Sequence, residues 1–254
     1  MTINILSDIH CCKDLPPNLN LDNLEKTDVL AIAGDVATFD KRDKIIKTII
    51  NKWGNGNKFD HLIYCWGNHD YYSSHPKFLT PDRMANNLPR SSDNKETCIG
   101  DVAFLSTTLW TNIRTNAEII TRSLNDYNYI EGFSVTYNNI LWQSNVNWLR
   151  SRLEHHKNLG HKVVIVSHHL PSKQLISPDF RKSDINGGYC SLDDEDEQTL
   201  RNIKPDLWIH GHSHQFMDKI IDGVRFIRNP FGYDYPRIQE WPYTNFKLNT
   251  IVNI

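Results

Sequence analysis

The sequence lacks long apolar runs, a strong net charge and any stretch that separates two domains as a linker. No apolar run approaches the roughly 20 residues that a membrane-spanning helix needs, which excludes a transmembrane segment. The formal net charge is −2, from 28 basic and 30 acidic residues dispersed along the chain. This balance argues against a nucleic-acid groove or a membrane-binding face. A length of 254 residues without a linker predicts one α/β domain, residues 1–254, with a substantial core.

The chain also lacks cysteine pairs at the spacing of zinc fingers. It has five cysteines, an odd number, which indicates free thiols in a reducing compartment. Cys11 and Cys12 are not predicted as metal ligands, because the hard divalent ions of hydrolytic sites prefer oxygen and imidazole donors. The sequence begins directly as a strand, with no basic and apolar signal segment ahead of it, so we expect a cytoplasmic protein.

What the chain does contain is a series of short polar motifs after apolar runs, and the central one is Gly67-Asn68-His69-Asp70. It follows the apolar run 61–65, which predicts a buried strand that ends in a turn. Such turns hold the ligand sites of open α/β sheets. Gly67 allows a tight backbone bend, Asn68 offers a carbonyl oxygen to a hard metal ion, and His69 is free to handle a proton.

Similar motifs follow the first two predicted strands. After residues 2–7, Asp8 and His10 are separated by one residue, so in extended backbone both side chains point to the same side. Taken alone, such a pair is more often a turn cap and a surface histidine than a metal clamp. After the apolar run 28–33, the two carboxylate oxygens of Asp35 can each bind a different cation. A bridging carboxylate is what a two-metal site needs.

Two histidine-rich motifs follow later predicted strands. His168 and His169 come after the β-branched run 162–167, and one of them can point back into the site. A second motif follows the run 206–209 and has three histidines at alternate positions: His210, His212 and His214. Alternate residues of an extended segment project from one side, so we expect these three to act together. Three histidines in five residues have no common packing explanation.

The connecting segments predict an α/β sandwich. Apolar residues at helical spacing predict helices over 41–53 and 140–157, and the order β-β-α-β with buried strands indicates layered sheet and helix. The acidic run 193–197 is predicted to open a helix, whose N-terminal end favours negative charge. Residues 125–137 are predicted to be a loop.

A few side chains outside the motifs carry weaker predictions. His155 and His156, near the end of a predicted helix, are expected to be solvated or favoured by the helix dipole, and not to bind metal. Tyr71, Tyr72 and His75 follow the central motif and could line the mouth of a pocket. In the long segment after His169, Arg181 or Lys182 could meet a substrate phosphate. Aromatic residues after a strand more often pack under a loop, and exposed basic residues need no function.

Five motifs therefore occur in order, each at the end of a predicted strand: Asp-x-His, Gly-Asp, Gly-Asn-His-Asp, His-His-x-Pro and Gly-His-x-His. In order and residue type, residues 8–214 resemble the calcineurin-like metallophosphoesterase superfamily. The resemblance implies a metallophosphoesterase-type α/β/β/α sandwich of two mixed sheets flanked by helices. It also implies a hydrolase with two divalent metal ions.

The resemblance further implies a ligand set. The residues implied for one ion are Asp8, His10 and His214. Those implied for the other are Asn68, His168 and His212, with Asp35 bridging. His168 is preferred because it comes first off its strand, as the ligand does in relatives, and His169 remains an alternative. Mixed imidazole and oxygen ligands suit Mn, Fe, Zn, Co or Ni, among which the sequence does not choose.

Two cations about 4 Å apart lower the pKa of a shared water and clamp phosphate oxygens during in-line attack. His69 would then stabilise the phosphoryl oxygens or protonate the departing alkoxide. The chain departs from the protein Ser/Thr phosphatase branch, where the Gly-Asp motif continues to a second Asp that orients the catalytic histidine, and then to Arg. Thr38 and Phe39 occupy those positions here. His69 therefore needs another orienting partner, and a phosphoprotein substrate is disfavoured.

The predicted function is hydrolysis of small phosphate esters, nucleotides among them, by a cytoplasmic phosphomonoesterase or phosphodiesterase that uses metal-activated hydroxide. One alternative is a nuclease like the DNA-repair exonucleases of this superfamily. The near-neutral charge and the lack of an appended DNA-binding domain count against it. A second alternative is a non-catalytic scaffold on the same fold, as in retromer-type relatives. Such proteins typically lose ligands, whereas all seven positions and His69 are present here.

Overall fold

A computed structural model describes residues 1–73, 94–235, 238–240 and 242–254, which form twelve strands and five α-helices. The strands are β1 Thr2–Leu6, β2 Thr27–Ala33, β3 Phe59–Cys65, β4 Lys95–Ile99, β5 Val102–Thr107, β6 Lys162–Ser167, β7 Leu207–Ile209, β8 Met217–Ile221, β9 Val224–Arg228, β10 Asp234–Tyr235, β11 Ile238–Gln239 and β12 Ile251–Asn253. The helices are α1 Phe39–Trp53, α2 Ala117–Ser123, α3 Asp126–Tyr129, α4 Val135–Asn158 and α5 Asp194–Arg201.

The described strands build two mixed sheets and a short hairpin of β10 and β11. The first sheet has the order β12-β1-β2-β3, in which β1, β2 and β3 run parallel and β12 pairs antiparallel with β1. The second has the order β4-β5-β6-β7-β9-β8, with four parallel strands in the middle and an antiparallel strand at each edge. Parallel neighbours need crossover connections, and the long helices α1 and α4 supply two of them.

One hydrophobic cluster lies between the inner faces of the two sheets. It includes Ile5 and Ala31 from the first sheet and Phe104, Val166 and Ile209 from the second. The outer strand residues belong to another cluster, which α1 and α4 complete with apolar side chains at helical spacing: Ile45, Ile46, Ile49, Val146, Leu149 and Leu153. The fold is thus the predicted α/β/β/α sandwich of two mixed sheets flanked by helices.

Several local predictions are corrected by the structure. Residues 125–137 are not a loop, because α3 and the start of α4 lie within them and the side chains of Ile130 and Phe133 are buried. His156 is not solvated, since it is only 2% exposed. His75 lies outside the described residues. In the described part of the chain no helix combines the length and apolarity required to cross a membrane.

Candidate metal centre

The eight residues singled out in the sequence meet where parallel strands of both sheets end. Asp8 follows β1, Asp35 follows β2, and His168 follows β6 directly. The full set that converges is Asp8, His10, Asp35, Asn68, His69, His168, His212 and His214. Carboxyl ends of parallel strands share one edge of a sheet, so residues far apart in sequence come into contact there.

Asp8, His10 and His214 form the first group. The Nε2 atoms of His10 and His214 lie 3.1 Å apart, and His214 Nε2 lies 3.5 Å from Asp8 Oδ1. One donor atom from each residue falls within 4.8 Å of the other two. Two imidazoles and a carboxylate converging this closely make a pocket that could hold a divalent ion.

Asn68, His168 and His212 form the second group. His168 Nε2 lies 2.9 Å from Asn68 Oδ1 and 3.1 Å from His212 Nδ1. The same nitrogen of His168 is thus directed toward an amide oxygen and another imidazole. This group too offers the mixed nitrogen and oxygen donors that transition-metal ions favour.

Asp35 lies between the two groups. Its Oδ1 is 3.4 Å from His168 Nε2, and its Oδ2 is 3.7 Å from His10 Nε2. The residue is 1% exposed, and its Oδ1 also accepts a hydrogen bond from the backbone N–H of His69 at 2.9 Å. Each carboxylate oxygen therefore faces a different group, which is the geometry of a bridging carboxylate.

His169 lies behind the second group. Its Nδ1 contacts the Thr108 carbonyl at 3.1 Å, and its ring packs against Trp110 and His212. Burial and then the neighbouring His168 lower the pKa of His169 to about 3, so the ring stays neutral. The structure thus places His168, and not His169, against Asp35.

His210 does not join His212 and His214, although the alternating pattern predicts one side for all three. It is completely buried, and its Nδ1 lies 3.3 Å from the carbonyl of Gly211. The backbone of His212 adopts φ = 68°, so the segment is not a continuous strand and the alternation is broken.

Two glycines leave room for the carboxylates. A Cβ on Gly67 would lie 2.1 Å from Asp35 Oδ1, and one on Gly211 would lie 2.9 Å from Asp8 Oδ2. Asp8, His10 and Asp35 have φ values between 50° and 54°, in the left-handed region. Asp and His tolerate that region better than most residues, and such strain clusters at functional sites.

The carboxylates of the site favour positive charge on two of its histidines, whereas burial lowers the pKa of His10 and His212 well below the usual value. Burial opposes protonation of His168, but Asp35 outweighs burial and raises the pKa of His168 to about 9. Burial also opposes charge on His214, yet hydrogen bonds to Asp8 and Glu240 raise its pKa to about 10. Burial acts to raise the pKa of Asp35, but His168 and His69 hold that pKa well below its usual range. A donor set that stabilises cations in this way fits a site for divalent metal ions.

Outer contacts fix the orientation of two imidazoles. The Nδ1 of His214 contacts the carboxylate of Glu240, and the Nδ1 of His168 lies 2.9 Å from the Ala33 carbonyl. Both rings therefore present Nε2 to the interior of the site. Contacts of this type orient metal-binding histidines. The sequence carries no pattern that would single out Glu240.

A second outer contact, also missed by the sequence reasoning, holds Asn68. Asp126 is 4% exposed, and one of its oxygens accepts hydrogen bonds from Asn68 Nδ2 and from the Tyr72 hydroxyl, both at 2.7 Å. The amide nitrogen of Asn68 is thereby turned outward and its oxygen toward His168. Asp126 is therefore a positioning residue for Asn68.

His69 contacts two tyrosines that can orient it in place of the second Asp of the phosphatase branch. Its ring stacks on Tyr72 at 4.2 Å with an interplanar angle of 28°. Its Nε2 lies 3.3 Å from the Tyr233 hydroxyl and 4.0 Å from Asp35 Oδ2. The Tyr72 ring is held in turn by Asp126. One acidic side chain thus supports both Asn68 and the surface on which His69 stacks.

We expect Asp126→Asn to lower kcat/KM for phosphate ester hydrolysis by about 10- to 100-fold, the usual cost of losing a partner behind a metal ligand. The neutral amide offers Asn68 and Tyr72 a weaker acceptor. The measurement is steady-state hydrolysis of an aryl phosphate by metal-loaded protein. Asp101→Asn is the matched control, because Asp101 is an exposed residue between β4 and β5 and does not line the cavity. Equal rates for the two variants would show that Asp126 does not support the site.

A cavity of about 590 Å³ opens beside the two groups. Its lining includes Asp35, Asn68 and His212 from the candidate metal centre, together with Tyr72, Tyr189 and Tyr233. Within the described residues no Lys or Arg lines it. Arg181 and Lys182 are not part of this lining, although their neighbours Phe180 and Ser183 are, so contact of either with a substrate phosphate stays a prediction. The volume suits a small organic ligand.

Residues 1–216 match the model of the calcineurin-like phosphoesterase family. The chain is 24% identical over 255 residues to "Uncharacterized protein L509" of Acanthamoeba polyphaga mimivirus, covering 88% of this chain and 85% of that protein. The crystal structure of phosphopantetheinyl hydrolase (PptH) from Mycobacterium tuberculosis matches with a TM-score of 0.70 and 18% identity, over 96% of this chain and 93% of that one. A dimetal phosphatase from Danio rerio matches with a TM-score of 0.49 and 13% identity, over 89% and 86%. Since the family model covers most of its length, the chain belongs to the calcineurin-like phosphoesterase family.

Proposed function

We propose that the chain is a dinuclear-metal-dependent phosphoesterase that hydrolyses small phosphate esters. The observation that carries the proposal is the position of Asp35, whose two oxygens face His10 and His168 in separate groups. The residues proposed as ligands of one ion are Asp8, His10 and His214. Those proposed for the other are Asn68, His168 and His212, with Asp35 shared.

Two divalent ions, when bound, supply Lewis acidity toward a water molecule and toward the phosphoryl oxygens. The protein's own contribution is to place and shield the reacting groups. Asp35 fixes the two ligand groups relative to each other. Asp8 and His168 are buried, which limits the access of bulk water to their ligand atoms. Mn, Fe, Zn, Co and Ni all suit this donor set.

His69 is proposed as the catalytic residue. It is more exposed than the other histidines that face Asp35, with 18% of its side chain accessible. It also lines the cavity. From there its Nε2 can donate a hydrogen bond to a phosphoryl oxygen or a proton to the departing alkoxide. Stacking on Tyr72 and contact with Tyr233 restrict its rotation, which favours a fixed direction of donation.

The cavity supports a small ester with an uncharged or aromatic organic part. Phe180 and Tyr243 line it with exposed rings, which offer faces on which a nucleobase can stack. The described lining holds no Lys or Arg, which counts against a nuclease, because contacts to a nucleic-acid backbone need clustered cations. The retention of every proposed ligand counts against a non-catalytic scaffold. PptH, by its name, acts on a phosphopantetheinyl group, so phosphopantetheine esters join nucleotides among the compounds to test.

We expect protein stripped of metal by a chelator to be inactive and to regain hydrolysis when Mn²⁺, Co²⁺ or Zn²⁺ is restored. Without the ions, the proposed site lacks its source of Lewis acidity toward water and the phosphoryl oxygens. The measurement is release of nitrophenol from a mono- and a diester after dialysis against each ion. Nucleoside monophosphates, cyclic nucleotides, phosphopantetheine esters and single-stranded DNA are then compared by kcat/KM. Full activity after exhaustive chelation would reject metal dependence, and a preference for DNA would favour the nuclease.

A further inference from the structure

A second cluster of metal-binding side chains lies at the opposite end of the second sheet. It comprises Cys98 on β4 together with His156 and His161 at the end of α4 and just beyond it. His161 immediately precedes β6, whereas His168 follows the last residue of that strand. Six strand residues at about 3.3 Å each separate the two places, so this cluster is roughly 20 Å from the candidate catalytic centre.

The three side chains converge on one point. The Cys98 sulphur and one ring nitrogen from each histidine all lie within 4.8 Å of one another. The Nδ1 atoms of His156 and His161 face each other at 3.0 Å, and the rings stack at an angle of 22°. A backbone hydrogen bond of 3.0 Å from His161 N–H to the His156 carbonyl holds the second histidine close to the first. Two nitrogens and a sulphur at such distances could serve as three ligands of a single zinc ion.

A carboxylate supports the buried histidine from behind. His156 is 2% exposed, and its Nε2 lies 3.1 Å from Glu96 Oε1, although the ring N–H is not aligned for a full hydrogen bond. Glu96 and Cys98 are alternate residues of β4, so their side chains share one face of the strand. Arg152 holds Glu96 at 3.4 Å. A carboxylate on the far nitrogen is typical of histidines that bind zinc, because it fixes the ring and raises its basicity.

A reactive thiol does not account for the cluster. Burial and then the charge of Glu96 raise the pKa of Cys98, which disfavours the thiolate in the absence of a cation. A bound cation reverses this preference, since ligation releases the thiol proton to solvent as the metal–sulphur bond forms. The donors also differ in kind from those of the candidate catalytic centre, where the described groups contain no cysteine.

We propose that Cys98, His156 and His161 bind a zinc ion that ties the edge strand β4 to the end of α4. A thiolate with two imidazoles selects zinc over magnesium, calcium or manganese, which prefer oxygen. The fourth position belongs to water. This site does not depend on the proposed catalytic function, because it shares no residue with that centre.

The test is titration of metal-free protein with Co²⁺, which reports thiolate ligation by a sulphur-to-cobalt charge-transfer absorption. Wild-type protein is expected to show this absorption, and Zn²⁺ is expected to bleach it by displacement. Cys98→Ser and His161→Gln should lose it, whereas Cys12→Ser, which removes an exposed cysteine outside the cluster, should keep it.

Asp35→Asn separates the two proposals, because it alters only the candidate catalytic centre and should leave the thiolate absorption intact. Metal analysis of zinc-loaded protein should show about one equivalent fewer ion in Cys98→Ser than in wild type. Absence of the absorption from folded wild-type protein, or its persistence in Cys98→Ser, would overturn the zinc site without bearing on phosphate ester hydrolysis.

Discussion

Asp35→Asn is expected to lower kcat/KM for aryl phosphate hydrolysis by about 1,000-fold or more, the scale seen when a central group of an active site is removed. The substitution keeps the shape of the side chain but removes its negative charge and replaces one acceptor oxygen with an NH₂ group. That group would face either His10 or His168, since each oxygen now faces one of them. One of the two proposed ions therefore loses its shared ligand.

Asp60→Asn is the control for this prediction. Asp60 is an exposed residue of β3, in the strand that leads to Asn68, so the chemical change is the same and the site is untouched. Metal content measured beside activity should fall in Asp35→Asn and not in the control. Wild-type turnover by a folded Asp35→Asn protein would refute the shared carboxylate and with it the proposed mechanism.

His69→Ala is expected to lower kcat by about 100- to 10,000-fold, the range for loss of a positioned proton donor. Its metal content should stay unchanged, because its Nε2 lies 4.0 Å from Asp35 on the cavity side and its proposed role is not ligation. The measurement compares nitrophenyl phosphate with an alkyl phosphate. A nitrophenolate leaves without protonation, so a proton-donor role predicts the larger loss on the alkyl ester.

Equal losses on the two esters indicate that His69 stabilises the phosphoryl oxygens instead. His61→Ala serves as the matched control, because His61 is a half-buried histidine of β3 that belongs to neither proposed metal site. Loss of one metal equivalent in His69→Ala would reassign the residue as a ligand. His10, Asp35 and His69 do fall within 4.8 Å of one another, so this measurement decides between the roles.

The sequence predicted which residues converge because each of the five motifs follows an apolar strand, whereas their assignment to two metal ions came from the family resemblance and stays a prediction. Strand ends of a parallel sheet must meet at one edge, so Asp8, Asp35 and His168 could be grouped without knowing any distance. Their supporting residues could not be found this way. Glu240 contacts a histidine 26 positions away, and Asp126 contacts Asn68 across 58 positions, both from loops or short helices with no periodic pattern.

The errors have related physical causes. His156 lies near a helix end, where a histidine is usually solvated. Here β4 packs over it, and Glu96 places a carboxylate beside the buried ring. Residues 125–137 contain many polar and aromatic side chains in short helical segments, whose burial arises from tertiary packing and not from amphipathic spacing. His210 broke the alternation because the backbone turns left-handed at His212.

The two groups of proposed ligands each draw side chains from both sheets. Asp8 follows the first sheet and His214 the second, and Asn68 and His168 repeat this division. An ion bound in either group would thus connect the two sheets along the edge where their parallel strands end. Binding free energy then adds to the cohesion of the two sheets in proportion to the logarithm of free ion concentration. The supply of metal would then contribute to the free energy of unfolding of the protein as well as to its chemistry.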